Sequence, residues 1–250
     1  FFVKNVPSKG KSYEIFGLKS RRTHHFLSTP EFECFILSEF NNQVIDIREQ
    51  FPLLNVRLIN QITEQLNIKP SLERFQGGSQ PRIFTTDLLL TKQVNNRIVY
   101  EAISVKNNFQ SLSKKRQLEL QEVERIYWNS LGINWSIFIP YGESSIAAKN
   151  IDLILNPLRV AGISPDFIGN EIRMLSLIPE EALNFSELIT YLSNKLAITN
   201  DESKLYFAKL FWKKYVNIDL THDITSLKTI NILNLRVSTD FEETINGHIA

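Results

Sequence analysis

Cysteine and methionine are almost absent from this sequence. Among its 250 residues there is one cysteine, Cys34, and one methionine. A single cysteine excludes an internal disulfide framework and any zinc site built from cysteines. Long hydrophobic runs are also missing, and no signal peptide is recognisable. We therefore expect a chain without a membrane partner, in a reducing, cytoplasmic setting.

Glycine and proline are scarce as well, with nine of each. This excludes fibrous and low-complexity classes of protein. What is abundant is core material, since hydrophobic residues make up 43% of the chain and 17 residues are phenylalanine. The sequence is long enough to bury one large core or two modest ones.

An excess of one charge is missing overall, because the formal net charge is +1. The charge is nevertheless unevenly distributed. Residues 1–140 carry 18 Lys and Arg against 13 Asp and Glu, a net +5, whereas residues 141–250 carry 10 against 14, a net −4. Unless this asymmetry arose by chance, it predicts that a nucleic-acid contact belongs to the first half.

Hydrophobic periodicity predicts an α/β domain with a mixed sheet in the first part of the chain. Thr29 and Pro30 are the expected cap and first turn of the first helix. The predicted elements are, in order, a short β-ribbon or arm, a helix over 31–40, a strand over 44–53, two strands over 83–91 and 98–106 joined by a turn at Asn95-Asn96, a helix over 114–130 and a strand over 133–139.

From about residue 150 the pattern changes to short helices. Helices are expected over 185–196 and 202–215, followed by paired strands over 216–220 and 227–232. Two helices and a small hairpin are typical of a winged-helix unit. The predicted domains are therefore residues 1–149, a catalytic domain with a basic N-terminal arm, and residues 150–250, a mostly helical, winged-helix-like domain.

One group of residues predicts chemistry. Asp87 lies inside an apolar strand, Lys106 ends the partner strand, and Ser104 lies two residues earlier on the same face. Glu31 begins a helix that would pack nearby. Two carboxylates can hold a hard divalent cation and a lysine can orient water, as hydrolysis of a phosphodiester requires. The alternative is that these are solvated structural residues.

Several segments together resemble TnsA, the endonuclease subunit of heteromeric transposases, along almost the whole chain. The most specific is the run Asp46–Leu53, Asp-Ile-Arg-Glu-Gln-Phe-Pro-Leu. The others are Val6–Gly10, His24–Ser28, Thr86-Asp87, Val105-Lys106, Glu122–Trp128 and Ile133–Trp135.

This resemblance implies a restriction-endonuclease-like fold with Glu31, Asp87 and Lys106 as catalytic residues. It implies that Glu31, Asp87 and the Val105 carbonyl hold Mg²⁺, with Mn²⁺ as a substitute, and that Lys106 positions or deprotonates the attacking water. The family usually has Gln, and the wider nuclease clan an acid, at the position of Ser104. A serine hydroxyl is a shorter ligand, so a bridging water is expected there.

The resemblance also implies the biological reaction and its partners. The chain would cleave the 5′, non-transferred strands of double-stranded DNA at transposon ends, together with a TnsB-like recombinase and a TnsC-like AAA+ ATPase. We assign the acidic C-terminal domain to protein contacts. The alternative, kept open by Ser104, is a weakly active or inactive DNA-binding adaptor that bridges the recombinase and the ATPase.

Other polar residues have a functional and a structural interpretation. His24 and His25 are not expected to form a metal pair, because neighbours on a strand face opposite ways. Arg48, Glu49 and Gln50 would brace the site, contact DNA or form a strand-end network. Trp128 and Trp135 are expected in the core. The candidate DNA contacts are Lys9, Lys11, Arg21, Arg22, His25, Arg48, Lys114 and Lys115.

Overall fold

The fold is taken from a computed structural model that describes residues 11–69, 72–75, 77–81, 83–161, 169–179 and 183–225. The chain divides into two compact units, Phe1–Tyr141 and Gly142–Ala250. The predicted boundary after residue 149 lies inside the first helix of the second unit, Glu143–Ala161. None of the described helices is both long enough and apolar enough to cross a membrane.

The first unit contains the predicted sequence of helices and strands and four further elements. Its elements are β1 (Tyr13–Phe16), β2 (Thr23–Phe26), α1 (Thr29–Phe40), β3 (Val44–Pro52), α2 (Val56–Gln65), β4 (Leu72–Phe75), β5 (Gly78–Pro81), β6 (Thr85–Val94), β7 (Arg97–Val105), a 3-10 helix (Phe109–Ser113), α3 (Lys115–Ser130) and β8 (Asn134–Phe138). The sequence did not predict α2, β4, β5 or the 3-10 helix.

A four-stranded mixed sheet organises this unit. The strand order is β3-β6-β7-β8, with antiparallel pairing of β3 with β6 and of β6 with β7, and parallel pairing of β7 with β8. Helix α3 makes the crossover between the two parallel strands, as a parallel pair requires. The prediction of an α/β fold with a mixed sheet is confirmed.

The β6–β7 turn follows from its two asparagines. Asn95 and Asn96 have φ angles of +49° and +59°, the left-handed values that a two-residue hairpin turn needs at both central positions. This turn fixes the register of the two strands. Leu88 pairs with Ile103 and Leu89 with Ala102, so the strand ends that carry Asp87 and Lys106 meet at the same end of the hairpin.

Two layers cover the sheet. On one face, α2 and α3 bury a cluster of Leu53, Ile59, Ile62, Ile68, Leu89, Ala102, Val123, Tyr127 and Trp128. On the other, α1 and the β1–β2 hairpin bury Phe26 and Phe35, whose ring centroids are 4.9 Å apart. Trp128 is therefore a core residue, as predicted, and Trp135 is partly buried against the same cluster.

The cap of α1 differs from the prediction by one residue. Ser28, not Thr29, is the N-cap, because it has the extended backbone (φ −153°, ψ 157°) that a capping residue adopts. Its hydroxyl donates to Glu31 Oε1 at 2.8 Å and accepts from the Glu31 N–H at 3.4 Å. The cap thereby fixes the side chain of Glu31 as well as the start of the helix.

The second unit is helical where it is described. It contains α4 (Glu143–Ala161), α5 (Asn170–Leu177), α6 (Phe185–Leu196) and α7 (Asn200–Trp212). The expectation of only short helices was wrong for α4, which has 19 residues. Capping boxes at Asn184 with Glu187 and at Thr199 with Glu202 start α6 and α7.

The winged-helix prediction is not confirmed. Residues 216–220 do not form a strand, and the second expected strand, 227–232, lies outside the described residues. The buried amide of Asn150 instead donates to the carbonyls of Leu220 and His222, at 3.1 and 2.7 Å. A side chain thus satisfies backbone groups that a partner strand would have paired.

Candidate active site

Asp87 is held by the strand next to its own. Its Oδ2 accepts the backbone N–H of Val105 at 2.6 Å, which fixes the carboxylate at the end of β7. The side chain is 23% exposed, so it is reachable from a pocket that Ser104 and Lys106 also line. The alternation of side chains along β7 gives Ser104 and Lys106 this shared face, as predicted.

The ammonium group of Lys106 contacts three oxygens at this point. Lys106 Nζ donates to Ser104 Oγ at 2.7 Å and to the Val105 carbonyl at 3.0 Å. It lies 3.7 Å from Asp87 Oδ2. These are the residues that the sequence grouped with Asp87, and the structure brings all of them together.

Glu31 reaches the site from α1. Its Oε2 accepts the backbone N–H of Leu27 at 3.1 Å and the Gln50 side-chain amide at 3.3 Å. Burial raises the pKa of Asp87, and the Gln50 amide is among the groups that oppose this rise. Gln50 therefore interacts with the carboxylate from α1 and with the one from β6.

Gln50 itself has an unusual backbone. Its φ is +47° in the interior of β3, a left-handed conformation that costs a residue with a Cβ about 1–2 kcal/mol. In the register of β3 and β6, Glu49 pairs with Leu88 and Phe51 with Thr86. Gln50 therefore stands opposite Asp87. A bracing role was one of three interpretations of Gln50 in the sequence analysis, and none of them included this conformation.

The electrostatics of the two carboxyls are coupled. Burial raises the pKa of Glu31, and the nearby charge of Asp87 raises that pKa further. Burial also raises the pKa of Asp87, against the opposing effects of the Lys106 charge and the Val105 N–H. Two partly buried carboxylates, of which Asp87 disfavours the charged form of Glu31, are a favourable environment for a cation.

The donor set fits a hard divalent cation. Among the described residues, no three His, Cys, Asp or Glu side chains cluster as a metal centre. A cation here would depend on Glu31, Asp87, the Val105 carbonyl, water and substrate oxygens. Mg²⁺ is commonly bound in this way, through one or two carboxylates and several waters.

Helix α3 adds two residues that the sequence did not single out. Glu124 and Gln121 line the pocket together with Asp87 and Lys106. The Thr86 hydroxyl donates to Glu124, and burial raises the pKa of Glu124 to about 7. Gln121 is buried, and its Nε2 has no hydrogen-bond partner among the described residues. The available signal was that both residues lie on the buried side of a helix otherwise rich in charge.

Two of the predicted DNA-contacting arginines are engaged within the protein. Arg22 makes two hydrogen bonds to Glu49, at 2.8 and 2.5 Å, and the fully buried His24 makes another at 2.7 Å. Arg48 donates to Thr91 at 2.7 Å and lies over the Phe51 ring at 5.5 Å.

The other predicted DNA contacts are scattered. Lys11, Arg21, Lys114 and Lys115 are exposed and His25 is partly exposed, whereas Lys9 lies outside the described residues. Lys11 lies 5.2 Å from the Tyr13 ring centroid. His25 lies 3.5 Å from Glu14, whereas the buried His24 bonds to Glu49, so the two side chains have different neighbours.

Comparison with known proteins gives two results. Residues 41–139 match the family described as TnsA-like endonuclease N terminal. This range includes Gln50, Asp87, Lys106 and Glu124, whereas Glu31 precedes it. A curated relative, the transposon Tn7 transposition protein TnsA of Escherichia coli, is 34% identical over 150 residues, which are 60% of this chain and 52% of the relative.

The match covers about half the length of that relative. The family match over residues 41–139 nevertheless includes most of the segments in which the sequence resembles TnsA, and the strands from which Asp87, Ser104 and Lys106 line one pocket. Residues 41–139 are therefore similar to the TnsA-like endonuclease N-terminal family, and 150 residues of the chain are similar to Tn7 TnsA.

Proposed function

We propose that this protein is a metal-dependent DNA endonuclease, the subunit of a heteromeric transposase that cleaves the 5′, non-transferred strands at transposon ends. One observation carries the proposal. In a unit that resembles TnsA-like endonucleases, Gln50 donates to Glu31 and stands opposite Asp87, and Lys106 lies 3.7 Å from Asp87.

Each residue has a part in this chemistry. Glu31, Asp87 and the Val105 carbonyl would hold Mg²⁺, or Mn²⁺ as a substitute, which supplies Lewis-acid activation of water and neutralises charge on the scissile phosphate. Lys106 orients the attacking water or a phosphate oxygen by donating from Nζ. Ser104, whose Oγ already accepts from Lys106 at 2.7 Å, would act on the cation through a bridging water.

We assign the partners of each part of the chain from its net charge. We assign double-stranded DNA to the basic first part of the chain, since its net charge of +5 favours phosphate contacts. The acidic second part, with a net charge of −4, is better suited to protein contacts. We assign it to a TnsB-like recombinase and a TnsC-like AAA+ ATPase, in keeping with the TnsA-like sequence.

A nicking assay on transposon-end DNA, with the partner proteins and Mg²⁺ present, tests this function. Asp87→Ala and Lys106→Ala should each reduce 5′-strand cleavage at least about 100-fold, because each removes a group that acts on the transition state. Both proteins should fold and join the complex.

The matched control is Lys92→Ala. Lys92 pairs with Glu101 at 3.0 Å on the same sheet, outside the site, so this variant should cut normally. Normal cleavage by folded Asp87→Ala would overturn the active-site assignment. If the wild type supports assembly but never cuts with Mg²⁺ or Mn²⁺, the adaptor role is the correct one.

A further inference from the structure

The backbone conformation of Gln50 is unusual for its position in the fold. Seven described residues other than glycine have a positive φ, and six of them lie in turns or at helix ends. Gln50 is the one that lies inside a strand. Strain of this kind persists only where the surrounding structure imposes it.

Both neighbours of Gln50 are firmly held. Glu49 binds Arg22 and His24 of the β1–β2 hairpin. Phe51 packs with Trp128 of α3, at 6.1 Å between ring centroids. In a regular strand, residues 49 and 51 would face the same way. Here they contact the two opposite layers, and the left-handed turn at Gln50 makes this change of face possible.

The result is a side chain directed between two acids. Gln50 Nε2 donates to Glu31 Oε2 at 3.3 Å, and Gln50 stands opposite Asp87 in the register of β3 and β6. A primary amide has two N–H donors and no charge. It can therefore bind both carboxylates at once, which neither a lysine nor an acid could do without changing the charge of the site.

We propose that Gln50 is a positioning residue, whose amide holds the Glu31 and Asp87 carboxylates together as a ready-made pair for a divalent cation. The proposal rests on the metal-dependent nuclease function described above, and it assigns Gln50 a role that does not involve contact with the reacting atoms. The backbone strain at Gln50 is the structural condition for this placement.

Two variants distinguish the effect of losing the Gln50 amide from the effect of relieving the backbone strain. Gln50→Ala and Gln50→Gly both remove the amide, but only glycine relieves the positive φ. In calorimetric titrations of Mn²⁺ into the full chain, both variants should raise the Kd for Mn²⁺ about tenfold. This is the lower end of the range expected when a group that orients metal ligands is lost. Gln50→Gly should melt at a higher temperature than Gln50→Ala. Gln93→Ala, at an exposed glutamine of β6, should change neither value.

A second measurement without metal makes the test independent of the proposed nuclease function. The loss of melting temperature caused by Gln50→Ala should be at most half as large in a Glu31→Gln background, because one of the two like charges is then gone. An undiminished loss overturns the positioning role, and so does a Gln50→Gly protein that binds Mn²⁺ as tightly as the wild type. If the wild type binds no Mn²⁺ but the coupling to Glu31 is present, metal dependence is wrong and Gln50 still joins the two carboxylates.

Discussion

At the scale of single residues, Lys106 has two effects on the site that oppose each other. Its ammonium contacts Ser104 Oγ and the Val105 carbonyl and lies near Asp87. Asp87 and the Val105 carbonyl are also proposed ligands of Mg²⁺. The lysine therefore favours the charged form of Asp87 while it competes with a cation for the same negative potential.

This competition predicts that Lys106→Met binds Mn²⁺ more tightly than the wild type in the DNA-free protein. The expected gain is about tenfold, equal to about 1.4 kcal/mol, and it should accompany the loss of cleavage. Calorimetric titration gives the affinity. Lys92→Met is the control and should leave the Kd unchanged, because Lys92 pairs with Glu101. Weaker metal binding by Lys106→Met would mean that the lysine supports the cation site and does not compete with it.

Ser104 allows a second test of the ligand set. Ser104→Glu would add a third carboxylate on the face shared with Lys106, so it should tighten Mn²⁺ binding to the free protein about tenfold or more. The same titration, with and without DNA, measures this. Tight binding by the wild type that Ser104→Glu leaves unchanged would exclude residue 104 from the coordination shell.

At the scale of elements, α3 connects the core to the site. Its buried face contains Val123, Tyr127 and Trp128, but also Glu124, which lines the pocket and accepts from Thr86. Burial raises the pKa of Glu124 to about 7. An acid whose pKa is raised in the folded state lowers stability once the pH is high enough to ionise it.

We therefore predict that Glu124→Gln increases the free energy of unfolding by an amount that depends on pH. Below about pH 4.5 the carboxyl is protonated in both the folded and the unfolded state, so the substitution should be nearly neutral. As the pH rises through 7 the folded wild type must ionise a buried group, and Glu124→Gln should then be more stable by on the order of 1–3 kcal/mol. Urea unfolding at pH 4 and pH 8 measures this. A gain of equal size at both values would show that the charge of Glu124 is not the cause.

The same elements show what the sequence could predict. The β6–β7 hairpin, α3 and β8 followed from apolar periodicity and the Asn95-Asn96 turn, which are local signals. Helix α2 was not predicted, although its apolar residues recur at helical spacing and Ile59 and Ile62 are buried in the core. The strand expected over 216–220 was wrong, and the carbonyl of Leu220 at its end is bound instead by Asn150, about 70 residues away in sequence.

Within the site, local signals in the sequence likewise predict some of the arrangement but not all of it. Asp87, Ser104 and Lys106 share a face because strands alternate, so their proximity was predictable from spacing. The bridge from Gln50 to Glu31 depends on one left-handed residue and on contacts from both layers of the fold. Local sequence contains no signal for such a conformation at a glutamine.

At the scale of the whole molecule, the division between Tyr141 and Gly142 predicts where the chain can be cut. A chain of residues 1–141 keeps every strand of the mixed sheet and every proposed site residue, so it should unfold cooperatively and bind DNA. It should not bind the recombinase and the ATPase. Circular dichroism melting and pull-down with each partner measure these properties. Full affinity for both partners would contradict the assignment of protein contacts to the second unit.

The central claim is that Glu31 and Asp87 hold the catalytic cation beside Lys106. The most direct test is a crystal structure of the protein with transposon-end DNA and Mn²⁺, with the cation located by its anomalous scattering. Our account predicts an anomalous peak bound by Glu31, Asp87 and the Val105 carbonyl, with the scissile phosphate of the 5′ strand next to it. A peak elsewhere, or DNA bound away from Asp87 with no cation at the site, would contradict it.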